Sequence, residues 1–191
     1  MFQELSMAGL QLWQSVSEAA GRGRGEVPLA VLFTDLVGFS KWALKAGDAV
    51  TLELLREVGA AQEAAVLARD GRITKRLGDG LMATFVSAEA AVEAALDAHD
   101  AIAEIQIDGY QPELRAGVHW GRPRKLGGDY LGVDVNIAAR VAAAAKGREV
   151  LVSGPALDGL DTTELTVRRR RWFRAKGTPR DLEVYAVSRL A

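Results

Sequence analysis

The chain of 191 residues contains no cysteine and only two histidines, His99 and His119. The absence of cysteine excludes disulfides, thiolate nucleophiles and cysteine-ligated zinc sites. Two histidines are too few for a three-histidine metal site within one chain. Any metal ion bound here is therefore expected to have oxygen ligands.

Long apolar runs and an excess of one charge are also absent. No stretch approaches the roughly 18 uninterrupted apolar residues of a membrane span, and the first residues lack the pattern of a signal peptide. We therefore expect no membrane association of this chain and a cytoplasmic location. The 24 basic and 25 acidic side chains nearly cancel, which disfavours nucleic acid as a partner.

What is present is typical of one soluble globular domain, with 49% apolar and 26% charged residues. Residues 1–26 are predicted to form a short amphipathic helix followed by the sequence GRGRGE, which is typical of a linker. This segment is interpreted either as a dimerising or docking helix, as a connection to an upstream regulatory domain, or as a helix packed on its own domain. The main domain is predicted to cover residues 27–191.

The hydrophobic pattern of the main domain predicts an α+β fold. Its element order is β-α-β-β-α-β followed by a further helix and strands, which is the ferredoxin-like order with helices on one face of the sheet. The predicted strands are 29–33, 72–77, 81–85, 114–120, 149–153, 165–174 and 182–187, and the predicted helices are 49–69, 87–105 and 133–145.

Two aspartates are expected to meet at one end of this sheet. Asp35 ends the first strand, and Asp79 lies in the Asp-Gly turn of a hairpin that would lie beside it. Two carboxylates near free backbone amides suit Mg²⁺ held jointly with a phosphate ligand. Each aspartate, considered alone, is also explained by the high frequency of aspartate in turns.

Three further basic or polar features stand out. Asn136 and Arg140 are four residues apart on a predicted helix and so share a face, where an arginine can stabilise phosphoryl charge, although a solvent-facing arginine is the simpler interpretation. Lys75 lies on an otherwise apolar strand face and requires a partner or a cleft. The run 168–171 is interpreted as a solvated strand rather than a nucleic-acid patch.

Together, FTDLVGFS at 33–40, KRLGDG at 75–80 and GGDYLGVDVNIAARV at 127–141 resemble the catalytic domain of class III nucleotidyl cyclases, specifically adenylate cyclases of the compact bacterial subgroup. The resemblance covers about residues 29–188. It implies that Asp35 and Asp79 bind two Mg²⁺ or Mn²⁺ ions and that the Leu36 carbonyl contacts one of them. It also implies that the triphosphate is contacted by the backbone amides of Leu36, Val37, Gly38 and Phe39.

The same resemblance assigns roles to the other motif residues. Lys75 and Asp129 would recognise adenine, while Asn136 and Arg140 would position the ribose and stabilise the pentavalent phosphorus. Less closely, Arg148 and Lys176 resemble triphosphate contacts.

The implied reaction forms 3′,5′-cyclic AMP and pyrophosphate from ATP. The 3′-hydroxyl attacks the α-phosphorus, one ion lowering the pKa of the hydroxyl and the other binding the leaving pyrophosphate. The family's sites are shared across a homodimer, and a single sheet is not expected to bring its Asn136–Arg140 helix over its own Asp35.

Two alternatives stay open at this point, a guanylate cyclase and a catalytically weak or inactive cyclase-like module that dimerises and binds nucleotide. A diguanylate cyclase is disfavoured, because GGD at 127–129 is not followed by Glu-Phe and precedes a helix.

Overall fold

A computed structural model describes residues 27–171 and 173–190. The strands are β1 Leu29–Leu36, β2 Arg72–Leu77, β3 Gly80–Phe85, β4 Leu114–Gly121, β5 Arg124–Leu126, β6 Asp129–Leu131, β7 Glu149–Ser153, β8 Leu165–Arg169 and β9 Val184–Arg189. They form a seven-stranded sheet in the order β2-β3-β1-β4-β7-β9-β8 and a separate two-stranded sheet, β5-β6. The helices are α1 Phe39–Ala46, α2 Asp48–Ala68, α3 Ala88–Ala103, α4 Val133–Ala144 and α5 Gly154–Leu157.

The first four long strands confirm the predicted ferredoxin-like arrangement. β1 lies between β3 and β4 and is antiparallel to both, while β2 pairs with β3 at the edge. β4 then pairs with β7 in parallel, which extends the sheet beyond the ferredoxin-like core. The helix and linker predicted within residues 1–26 lie outside the described residues.

Both faces of the sheet are covered, so the expectation of helices on one face is only partly correct. The even-numbered residues of β1, such as Leu32, pack toward α3, and Leu36 packs with α2 and α3. The odd-numbered Val31 and Phe33 pack against α4 on the opposite face. β1 is apolar on both faces, and each face therefore requires a cover.

Several connections were not predicted from the sequence. The glycine-rich stretch after β4 forms the β5-β6 hairpin, whose turn uses Gly127 at a φ of 61°. β8 ends at Arg169 rather than continuing to residue 174. The Arg170 side chain after this strand binds Glu149 and the Ala144 carbonyl. Among the described residues, no helix is long and apolar enough to cross a membrane.

Candidate active site

The structure brings Asp35 and Asp79 together at one end of the sheet. Asp35 is the penultimate residue of β1, and Asp79 lies in the turn between β2 and β3, beside the end of β1. The Leu36 amide donates a hydrogen bond to Asp79 Oδ2 over 3.2 Å. The hairpin turn thus carries one carboxylate next to the strand that carries the other.

Asp79 is almost completely buried, with 2% of its surface exposed. Burial is the main reason why its pKa rises to about 7, and the neighbouring Asp35 carboxylate raises it further. Its Oδ1 atom is buried and has no hydrogen-bond partner within residues 27–171 and 173–190. A buried carboxylate oxygen without a donor, beside a second carboxylate, fits a divalent cation.

Two protein carboxylates are enough to bind such an ion only when a bound substrate or water supplies further oxygen ligands. In the described part of the chain, no group of three or more acidic or histidine side chains is arranged to hold a metal. Mg²⁺ commonly binds through one or two carboxylates together with substrate phosphates and water. The residues present therefore suit a cation that arrives with a phosphate-bearing substrate.

Asp35 has a cationic partner that the sequence did not reveal. Arg115 lies opposite Asp35 in the β1-β4 register, and its Nε donates to Asp35 Oδ2 over 3.0 Å. Its Nη1 also reaches the Ala143 carbonyl in the last turn of α4, over 3.3 Å. The last turn of α4 thus lies within one side chain of Asp35. Only the strand register, which no motif encodes, identifies Arg115.

The turn after β1 has fewer available amides than the resemblance implied. The Leu36 amide is bound to Asp79, and the Val37 amide donates to the Glu113 carbonyl over 2.9 Å. Gly38, at a φ of 72°, caps α1. The Gly38 and Phe39 amides precede the first intrahelical hydrogen bond and point from a helix N-terminus, which favours an anion.

Lys75 and Asp129 form an ion pair between β2 and the β5-β6 hairpin. Both side chains are about 30% exposed, so a ligand can reach them. Asp129 Oδ1 also accepts from the Tyr130 amide over 2.8 Å, which orients the carboxylate. The hairpin that sequence analysis missed is thus the element that places Asp129 against Lys75.

Asn136 and Arg140 are half-buried on α4, four residues apart as predicted. The first turn of this helix is anchored by Asp134, which is buried and accepts from the Arg122 amide over 2.9 Å. His119 Nε2 lies 3.2 Å from the second Asp134 oxygen. The position of α4 on the sheet is therefore fixed near the start of the helix.

The contacts of His119 complete a buried serine, histidine and aspartate set. Its Nδ1 lies 2.7 Å from Ser153 Oγ. Ser153 is fully buried and accepts from the Ala156 amide at the start of α5, so no substrate reaches it. This set links β4, β7 and α4 and has no access for nucleophilic chemistry. No local sequence pattern pairs His119 with Ser153 and Asp134, so this set was not predicted.

Comparison with known proteins gives the family of this site. The family model for the adenylate and guanylate cyclase catalytic domain matches residues 25–189. The chain belongs to this family. The matched segment contains both aspartates, the Lys75–Asp129 pair and α4.

Curated relatives of this cyclase domain include proteins named as adenylate cyclases. An adenylate cyclase of Streptomyces coelicolor is 36% identical over 124 residues, which is 65% of this chain and 32% of that protein. A pH-sensitive adenylate cyclase of Mycobacterium tuberculosis is 30% identical over 179 residues, covering 86% of this chain and 42% of that protein. An uncharacterized protein of the same species is 35% identical over 144 residues, and the chain spans 36% of its length. The chain thus spans about a third of the first curated relatives it matches.

Solved structures confirm the cyclase fold at lower identity. The catalytic core of a rhodopsin-guanylyl cyclase with converted specificity, in complex with ATPαS, superimposes with a TM-score of 0.78 at 18% identity over 85% of this chain and 96% of that chain. The adenylyl cyclase CyaB from P. aeruginosa gives 0.73 at 22% identity over 86% and 95%.

The two further candidate triphosphate contacts, Arg148 and Lys176, lie in different places in the cyclase domain. Arg148 is exposed next to β7, with its Nε 3.7 Å from Glu113 Oε1. Because the Glu113 carbonyl accepts from the Val37 amide, Arg148 lies at the same end as the turn after β1. Lys176 is exposed in the connection between β8 and β9, which are separated from β1 by β4 and β7.

Proposed function

We propose that this cyclase domain is an adenylate cyclase, which converts ATP to 3′,5′-cyclic AMP and pyrophosphate. The observation that carries the choice of base is the accessible Lys75–Asp129 pair. Adenine presents an amino donor beside a ring-nitrogen acceptor, which an aspartate and a lysine complement. Guanine presents a carbonyl where adenine presents its amino group, and Asp129 would face that carbonyl unfavourably. The names of the Streptomyces and Mycobacterium relatives support the same substrate.

Asp35 and Asp79 would hold two divalent cations, Mg²⁺ or Mn²⁺, together with the Leu36 carbonyl. The buried Asp79 Oδ1 supports this assignment. When bound, such ions lower the pKa of the ribose 3′-hydroxyl and neutralise the pyrophosphate leaving group.

The chain's own residues orient the substrate and stabilise charge. The 3′-oxygen forms a bond to the α-phosphorus as the bond to pyrophosphate breaks, and the hydroxyl proton passes to water. Arg140 stabilises the charge on the phosphorus oxygens, and Asn136 orients the ribose. The Gly38 and Phe39 amides contact the triphosphate, with Arg148 and Lys176 as further cations.

The active unit is proposed to be a homodimer with two sites at its interface. Within one chain, Asp35 is paired with Arg115 rather than with Arg140. A second subunit would supply the adenine-recognising pair and α4 residues to the aspartates of the first.

The test measures cyclic nucleotides formed by the purified chain with Mn²⁺ and either ATP or GTP. We expect cyclic AMP from ATP and at least about tenfold less cyclic GMP from GTP, since a well-placed polar contact discriminates by about 1–3 kcal/mol. The controls are Asp35→Ala and Asp79→Ala, each checked for folding by circular dichroism. Failure of the wild-type chain to form cyclic AMP, faster formation of cyclic GMP, or an active folded Asp79→Ala chain would contradict the proposal.

A further inference from the structure

Gln62 is a buried polar side chain of α2 to which the proposed reaction assigns no role. Only 2% of its surface is exposed, and it lies between apolar positions of the same helix such as Val58 and Val66. A buried amide side chain is costly unless its donor and acceptor are both bound. The partners of Gln62 therefore indicate why this position is polar.

Both ends of the Gln62 amide are bound near the carboxylate turn. Its Nε2 donates to the backbone carbonyl of Asp79 over 3.2 Å. Its Oε1 accepts from the hydroxyl of Thr34, the residue before Asp35. The same hydroxyl accepts from the Leu81 amide over 3.0 Å. One buried network thus joins α2, β1 and the β2-β3 turn.

This network binds the backbone of the turn that carries Asp79 and does not use its carboxylate. The turn already lies close to β1, because a Cβ on Gly80 would be 1.9 Å from the Thr34 carbonyl oxygen. The Leu36 amide binds Asp79 Oδ2 separately. The Asp79 backbone is therefore held through its own carbonyl, and its side chain through a strand amide.

An apolar residue at position 62 would suit the apolar face of α2, but it would leave the Asp79 carbonyl and the Thr34 hydroxyl without their contacts to the Gln62 amide. The Gln62 amide donates to the backbone carbonyl of Asp79, the residue whose buried Oδ1 has no hydrogen-bond partner among the described residues. Groups that orient metal-binding residues commonly change metal affinity by about 10–100-fold when they are removed. We propose that Gln62, with Thr34, is a positioning residue that sets Asp79 for cation binding, an inference that rests on the proposed function.

The experiment compares variants that retain volume but lose hydrogen bonds. Gln62→Met removes both amide contacts, and Thr34→Val removes the hydroxyl. Thr34→Ser restores that hydroxyl and serves as the conservative variant. Val66→Ala is the matched control, because it weakens packing on the same buried face of α2 without touching the turn.

Two readouts are taken besides cyclic AMP formation. Mn²⁺ affinity is measured from the electron paramagnetic resonance signal of the free ion, with an ATP analogue that lacks the 3′-hydroxyl. Hydrogen exchange of the Leu81 amide is measured without metal, so it reports the network even in a chain that binds no ion.

We expect Gln62→Met and Thr34→Val to weaken Mn²⁺ binding by about tenfold and to speed Leu81 exchange. The KM for ATP at saturating Mn²⁺ should change less than about twofold, and Thr34→Ser should resemble the wild type. Two results would overturn this inference but not the proposed function, provided that the wild type binds Mn²⁺ and forms cyclic AMP. In the first, folded Gln62→Met binds Mn²⁺ as tightly as the wild type. In the second, Val66→Ala weakens Mn²⁺ binding as much as Gln62→Met does. A wild-type chain that binds no Mn²⁺ and forms no cyclic AMP overturns the proposed function and this inference together.

Discussion

Arg115 lies directly opposite Asp35 in the register of β4 and β1, and its guanidinium binds the Asp35 carboxylate. Both side chains are about one-fifth exposed. The guanidinium therefore balances one of two neighbouring carboxylates in the absence of a cation. It also joins the strand that carries Asp35 to the Ala143 carbonyl of α4.

The first prediction follows from this charge balance. Arg115→Gln should lower the Tm of the metal-free chain by several degrees, because hydrogen bonds to a charged group contribute about 1.5–3 kcal/mol. Added Mn²⁺ should raise the Tm of the variant more than that of the wild type, since the ion replaces the lost positive charge. Thermal unfolding with EDTA and with Mn²⁺ measures both effects.

The control for this prediction is Arg76→Gln, which removes a more exposed ion pair with Glu63. Exposed pairs contribute about 0–1 kcal/mol, so its Tm should change little. Equal Mn²⁺-dependent shifts in Arg115→Gln and the wild type would show that Arg115 does not balance the charge of the aspartates.

The second prediction concerns the ionisation of Asp79. Burial, with the Asp35 charge, raises the pKa of Asp79 from 3.8 to about 7. The unfolded chain then loses this proton at a lower pH than the folded chain, so the stability of the metal-free fold should fall as pH rises from about 4 to about 7. Asp79→Asn removes the penalty and should stabilise the fold at pH 8 by a few kcal/mol, since one pKa unit corresponds to about 1.4 kcal/mol.

Denaturant unfolding with EDTA at several pH values measures this effect. The stabilisation by Asp79→Asn should disappear near pH 4, whereas cyclic AMP formation should be lost at every pH. Asp181→Asn, on an exposed turn, is the control and should change neither quantity. A variant that is less stable than the wild type at pH 8 would contradict the assignment of a destabilising buried charge.

The local elements of the fold were largely predictable. The β2-β3 hairpin follows from an Asp-Gly turn between two strand-like runs, and α4 and β7 follow from their hydrophobic periodicity. These patterns act over a few residues and depend little on the rest of the chain. The family motifs then supplied Asp35, Asp79, Lys75 and Asp129.

Contacts between distant segments were not predictable in the same way. Arg115 and Asp35 are 80 residues apart, and Gln62 and Asp79 meet only because α2 packs over the turn. A glutamine on an apolar helix face has no distinctive local pattern, and its role depends on the tertiary packing. α4 covers the face of the sheet opposite to α3, because β1 is apolar on both faces. The periodicity of a helix does not indicate which face of the sheet it covers.

The third prediction tests base recognition through Lys75 and Asp129. Because the two side chains form an ion pair, Lys75→Glu alone would leave two carboxylates facing each other. The double variant Lys75→Glu/Asp129→Gly removes this repulsion and replaces the donor by an acceptor. We expect the kcat/KM for ATP to fall by about tenfold or more and the ratio of GTP to ATP turnover to rise.

The matched control for base recognition is Lys125→Glu on β5, which reverses an exposed charge on the hairpin that carries Asp129. It should leave the ratio of GTP to ATP turnover unchanged. Unaltered ATP kinetics in the double variant would refute the role of this pair, and an equal change in Lys125→Glu would indicate a general electrostatic effect.

The last prediction tests whether each site is shared between two subunits. Asp35→Asn retains an acceptor for Arg115 but removes the charge proposed to bind the cation, and Arg140→Ala removes the proposed phosphate contact on α4. Each variant alone should be inactive as a homodimer. In a heterodimer of the two, one shared site carries both changes and the other carries neither.

An equal mixture of the two variants that exchanges freely should therefore recover about a quarter of wild-type activity, because half of the dimers are heterodimers with one intact site. Different tags confirm that heterodimers form, and cyclic AMP is measured before and after exchange. Confirmed heterodimers that stay inactive would place Asp35 and Arg140 of each site in the same subunit, and the shared-site dimer would be wrong.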